Sequence, residues 1–192
     1  MTNETGMLRL FFALPCDLSH EFLRPVYGQL TAFPRALKAV APENYHITLK
    51  FLGETKEEVF RLLRRDFQRL EIDYASVPYT LRGLGAFPDV RRARVLWCGL
   101  DLDISSINLF QNRIEELCAA YGFKKESRAF QPHLTLARTR RDMKIPASIA
   151  EFVTANRDTV FGRSIFNRIV LFKSDLRRDG PEYTPVEERR LT

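Results

Sequence analysis

Two four-residue stretches could do chemistry together: His46-Ile47-Thr48-Leu49 and His133-Leu134-Thr135-Leu136, 87 residues apart. On a strand, residues i and i+2 share one face and i+1 and i+3 the other. Each stretch therefore presents a His and a Thr on one side, and two aliphatic residues on the side that seeks a core. If the two strands face one another, two imidazoles and two hydroxyls converge. Imidazoles with ordinary pKa values near ~6.5 can serve at neutral pH as a general acid and a general base on opposite sides of a reacting centre. Threonine hydroxyls, stiff at χ1, can donate to the non-bridging oxygens of a phosphate. In-line displacement at phosphorus needs this set, with one group activating the nucleophile and another protonating the leaving oxygen. A single H-x-T carries no weight, because a buried His bonded to backbone is the ordinary outcome. Here two of the chain's three histidines stand in matched motifs. His20 has no such partner and is read as a surface residue.

The elements that must position these motifs recur as well. Arg9–Leu14, ended by Pro15, and Arg94–Leu100 are both short apolar strand candidates. Asp17-Leu18-Ser19 and Asp103-Ile104-Ser105 follow them, supplying N-cap residues for helices. The first helix pattern has Phe22, Leu23, Val26 and Leu30 on its apolar stripe; the second has Ile107, Phe110, Ile114, Leu117 and Cys118. Each histidine strand precedes a further helix candidate, Lys56–Leu70 and roughly Pro146–Asn156. Strand candidates Tyr79–Ala86 and Arg163–Lys173 come next. The order β-α-β-α-β thus occurs twice, which predicts a duplicated α+β fold. We expect one bilobal domain over residues 1–192, with repeat halves of roughly 8–90 and 93–185. Each lobe should be an antiparallel sheet with helices on its outer face, leaving a central cleft between the open faces.

At these residues the sequence resembles the two-histidine (2H) phosphoesterase superfamily, whose signature is two H-x-T-x motifs in a duplicated bilobal fold. It is most similar to the LigT-type RNA 2',3'-cyclic phosphodiesterases, also called 2'-5' RNA ligases. Arg9–Pro15, Glu43–Gly53 and Pro132–Arg138 match the opening strand and the two motif regions. Leu84-Gly85-Ala86-Phe87-Pro88 with Arg94–Trp97, and Gly180–Pro185, match the middle and closing segments. The tail Val186–Thr192 is more charged than that pattern.

The resemblance implies hydrolysis of 2',3'-cyclic phosphate ends of RNA to 2'-phosphate ends, with 2'-5' joining of RNA as a side activity. It makes His46 the proton donor to the departing 3'-oxygen and His133 the base that takes a proton from water. Thr48 and Thr135 become the phosphate-oxygen donors, and Arg138 a phosphate contact through its paired guanidinium donors. Period-2 alternation places Arg138 opposite His133, so it reaches the cleft only if the strand ends or bulges near Ala137. An RNA end also needs a platform for its base. Phe12 and Tyr183 are the candidates, although Phe11 and Phe12 point opposite ways and the strand's register is open. Alternatives are a sibling enzyme acting on 2'-5' oligonucleotides or a cyclic nucleotide, or a non-catalytic RNA-end binder.

Composition fits this reading. The chain has 192 residues, 45% hydrophobic, and a net charge of +6 that suits a polyanionic partner without identifying one. Arginines cluster at Arg91, Arg92 and Arg94, and at Arg138, Arg140 and Arg141. The three cysteines, Cys16, Cys98 and Cys118, include no C-x-x-C pair and read as reduced thiols. No metal-ligand spacing and no cofactor motif is present, so none is expected. There is no membrane-length apolar run. With no secretory pattern in Met1–Gly6, a cytoplasmic protein, expected as a monomer, is the reading.

Overall fold

The structure, a computed structural model, describes residues 6–17, 19–71, 75–127, 130–177 and 180–191. Leu18, between the two expected cap residues Asp17 and Ser19, lies outside them, as do Met1–Thr5 and Thr192.

The first strand, β1 (Met7–Pro15), leads into two short helices, α1 (Ser19–Phe22) and α2 (Arg24–Thr31). The single helix expected here is broken at Leu23, where Pro25, lacking an N–H, is seated in a new first turn. A three-residue strand, β2 (Leu37–Ala39), precedes the first histidine strand, β3 (His46–Lys56). Helix α3 (Glu57–Arg69) and strand β4 (Val77–Phe87) follow; Leu63 and Phe67 form the buried face of α3.

The second part has strand β5 (Val95–Leu102), helix α4 (Ile104–Ala119), the second histidine strand β6 (His133–Thr139) and helix α5 (Ala147–Ala155). It ends with β7 (Val160–Phe166), β8 (Arg168–Arg177) and β9 (Gly180–Arg190). Asp103 caps α4 as expected, its carboxylate accepting from the Ser105 amide. Ser19 does not play that role: it is buried, and its hydroxyl is bonded to Tyr79.

The strands form two antiparallel sheets, ordered β3-β1-β8-β9 and β2-β6-β5-β4-β7. Each sheet draws strands from both halves of the sequence. Strand β4 lies beside β5 in the second sheet, and β8 lies beside β1 in the first. The expected strand Arg163–Lys173 is therefore two strands in different sheets, parted at Asn167, whose carbonyl accepts from the Leu191 amide. Helices α3 and α4 pack with the first sheet, and α1, α2 and α5 with the second.

Register decides which aromatic ring enters the core. Phe12 is fully buried and meets Phe67 of α3 edge-on, with centroids 4.9 Å apart. Burying such a ring stabilises the fold by about 2–3 kcal/mol. Phe12 is thus not the base platform expected of it; its neighbour Phe11 has the cleft side. No helix among the described residues is long and apolar enough to cross a membrane.

Candidate active site

Strands β3 and β6 bring the two motifs to a cleft of about 970 Å³ lined by residues of both sheets, among them His46, Thr48, His133, Thr135, Arg138 and Tyr183. Ile47, Leu49, Leu134 and Leu136 are buried on the opposite faces, as the alternation requires.

Both strands then break the alternation at the same motif position. Ala13 pairs with Thr48 and Phe12 with Lys50, leaving Leu49 as an extra residue. Trp97 pairs with Thr135 and Leu96 with Ala137, leaving Leu136 extra. A bulge turns two successive side chains to one side: Leu49 and Lys50 are both buried, as are Leu136 and Ala137. The fifth residue after each histidine offset therefore comes round to the cleft. On β6 that residue is Arg138; on β3 it is Phe51, half exposed, with the Arg9 guanidinium 4.6 Å from its ring centroid. A guanidinium and a ring thus occupy corresponding places on the two histidine strands.

The imidazoles are held alike. Nδ1 of His46 lies 2.6 Å from the carbonyl oxygen of Asn44, and Nδ1 of His133 lies 2.8 Å from that of Gln131. A carbonyl only accepts, so each Nδ1 carries a proton and each Nε2 is left to accept or donate in the cleft. The Asn44 side chain donates to the Pro181 carbonyl at 3.4 Å, tying the approach to His46 to β9.

Around them the walls differ. His46 sits among Phe11, Phe172 and Tyr183, with ring centroids 5.0, 6.4 and 5.3 Å away. This burial lowers its pKa below the usual imidazole value. The Asn44 carbonyl opposes the shift, and the charges of Arg138 and His133 add to it. His133 meets Phe87 edge-on at 5.1 Å, and Phe87 rests on Trp97 at 5.3 Å. Burial also raises the Tyr183 phenol, against the pull of Arg138 and Arg9.

The structure thus places six of the seven expected site residues on the cleft and sends Phe12 to the core. It adds Phe11, Phe51, Phe87 and Lys38, which sequence reasoning did not single out; Phe51 was findable as the motif counterpart of Arg138. Burial pushes the Cys98 and Cys118 thiols up to about 12, and Cys16 higher still, so no thiol is poised as a nucleophile. Among the described residues, no cluster of three or more His, Cys, Asp or Glu could hold a metal ion.

A LigT like Phosphoesterase family model matches residues 21–97 and 103–183, each stretch holding one histidine motif. The RNA 2',3'-cyclic phosphodiesterase of Aeropyrum pernix is 35% identical over 157 residues, covering 79% of this chain and 85% of that protein. The Methanocaldococcus jannaschii protein of the same name is 32% identical over 94% of this chain and 99% of its own. Among solved structures, Escherichia coli LigT complexed with 3'-AMP superposes with a TM-score of 0.74 at 26% identity. That match covers 97% of this chain and 99% of that one.

Proposed function

The chain belongs to the LigT-like phosphoesterase family, and on that premise we propose that it hydrolyses RNA 2',3'-cyclic phosphate ends to 2'-phosphate ends without a metal. The observation that carries the reading is the matched pair of imidazoles, each fixed through Nδ1 with Nε2 free toward one cleft. Nε2 of His133 takes a proton from water as the water oxygen bonds to phosphorus. The P–O3' bond breaks in line, and Nε2–H of the charged His46 gives its proton to O3'. The phosphate stays on O2'. Proton exchange with solvent resets the pair. Thr48, Thr135 and Arg138 donate to the phosphate oxygens as charge builds on them. The aromatic surroundings that lower the His46 pKa make it the stronger acid once the phosphate anion has charged it. If the 5'-hydroxyl of a second RNA replaces water, the same steps join the two ends through a 2'-5' bond, the expected side activity.

The test is a short RNA ending in a 2',3'-cyclic phosphate, incubated in EDTA with wild type, His46→Ala and His133→Ala. Products are separated as 2'- or 3'-phosphates. The expected result is a 2'-phosphate from wild type and a loss of ~10²–10⁴ in rate for each variant. A 3'-phosphate product, or full activity without either histidine, overturns the mechanism. RNA bound but never cleaved would make the protein an end binder. Turnover of a 2'-5' oligonucleotide instead would make it a sibling enzyme.

A further inference from the structure

The two sheets are not equivalent beside their histidine strands. Strand β3 is the edge of its sheet, whereas β6 is flanked by one more strand, the three-residue β2. What β2 adds is Lys38, directly opposite Arg138 in the antiparallel register. Residues directly opposite share a face. Leu37 and Ala137 are buried on the core side, so Lys38 and Arg138 both project into the cleft, which they line.

Like charges directly opposite one another on a sheet repel. No ion pair among the described residues relieves this one, since neither Lys38 nor Arg138 is bridged to a carboxylate. An anion in the cleft would offset the repulsion. The two cations differ in what else they stand beside. Arg138 lies beside the catalytic pair, near enough to His46 to lower its pKa. Lys38 extends to the rim: its Cε lies 3.6 Å from where a Cβ on Gly180 would stand, at the start of β9 in the other sheet. An RNA chain running from the phosphate at Arg138 toward β9 would bring its next phosphodiester to this ammonium group. On the other histidine strand Phe51, half exposed beside Arg9, offers a ring on which a base can stack. The cleft's roughly 970 Å³ is at the top of the ~300–1,000 Å³ range that encloses a whole small ligand.

We infer that Lys38 is a second phosphate-binding residue, holding the phosphodiester that joins the terminal nucleotide to the rest of the RNA. This rests on the RNA-end reading above and specifies it: the preferred substrate is an oligonucleotide end rather than a free cyclic mononucleotide.

The experiment compares a nucleoside 2',3'-cyclic phosphate with a dinucleotide ending in the same group, for wild type, Lys38→Ala and Lys38→Arg. The quantity read is the ratio of kcat/KM, dinucleotide over mononucleotide. It should fall about tenfold in Lys38→Ala and recover largely in Lys38→Arg. A dinucleotide whose linking phosphate is an uncharged methylphosphonate should cost wild type a similar factor, and Lys38→Ala no further one. A ratio unmoved by Lys38→Ala, or a variant that still loses the full factor on the uncharged linkage, overturns the inference. If wild type cleaves the mononucleotide but has no preference for the dinucleotide, the subsite falls and the RNA-end reading stands. If wild type cleaves neither, that reading falls, and binding of the same uncut oligonucleotide decides the subsite. The slope of log affinity against log salt should then shrink by about 0.7 in Lys38→Ala; an unaltered slope overturns it.

Discussion

Replacing Lys50 with methionine should destabilise the fold far more than a surface lysine would. Lys50 follows the bulge in β3 and is buried with Glu115 of α4; both side chains are 8% exposed. The Lys50 ammonium donates to Glu115 Oε2 at 2.8 Å and to the Lys124 carbonyl at 2.6 Å. Methionine keeps the length of the stem but leaves the Glu115 charge buried without its cation. Oε2 keeps the Glu126 amide, at 3.3 Å, while Oε1 has no hydrogen-bond partner among the described residues. Removing one member of a buried pair costs about 3–5 kcal/mol. At ~2–4 °C per kcal/mol for a chain of this size, even the lower figure lowers Tm by roughly 6–12 °C. The double variant Lys50→Met/Glu115→Leu removes the stranded charge. It should melt above Lys50→Met but below wild type, because the Lys124 carbonyl and Glu126 amide still lose partners at about 1 kcal/mol each. Calorimetry or circular dichroism at neutral pH measures all four corners of the cycle. A Lys50→Met variant melting within about 2 °C of wild type would refute the reasoning, as would a double variant no more stable than the single.

The remaining expectations concern the cleft. Thr48→Val and Thr135→Val should each lower kcat/KM by roughly 10–100-fold, the worth of one hydrogen bond to a charged oxygen; steady-state kinetics on the cyclic-phosphate RNA show it, and serine at either position should restore most of the rate. Because burial holds the folded His46 pKa below that of the unfolded chain, its contribution to stability is present above ~6.5 and lost as pH falls through the folded value. Tm should therefore drop on acidification below that point and drop less in His46→Asn, and overlaid Tm–pH curves would remove the basis for the assignment. Phe51→Ala should raise KM for a nucleoside cyclic phosphate at least about fivefold relative to an abasic ribose cyclic phosphate, from lost stacking of ~1–3 kcal/mol. An equal change on both would make Phe51 a packing residue.

What the sequence makes legible is local period, and the site is partly built from departures from it. Alternation correctly puts His46 with Thr48 and His133 with Thr135, because two residues of strand need no partner to define their faces. It fails at the next step: a bulge is a mismatch in count between two strands, and only the pairing of β3 with β1, or β6 with β5, reveals it. Counted by period two, Lys50 would share the face of His46, and Arg138 that of Leu134; the register instead sets Lys50 opposite the buried Phe12, and Arg138 lines the cleft. The same cause hides the choice between Phe11 and Phe12, and the passage of the chain at Asn167 from one sheet to the other, since Arg163–Lys173 reads as one continuous strand. Yet the motifs hold the clue jointly. A bulge that buries the fourth and fifth residues must turn the sixth outward, and that residue is Phe51 in one motif and Arg138 in the other. An arginine there is intolerable in a core, so if the repeats share their backbone, the ring at Phe51 must face the cleft as well. One charged residue in one copy thereby fixes the exposure of an aromatic in the other.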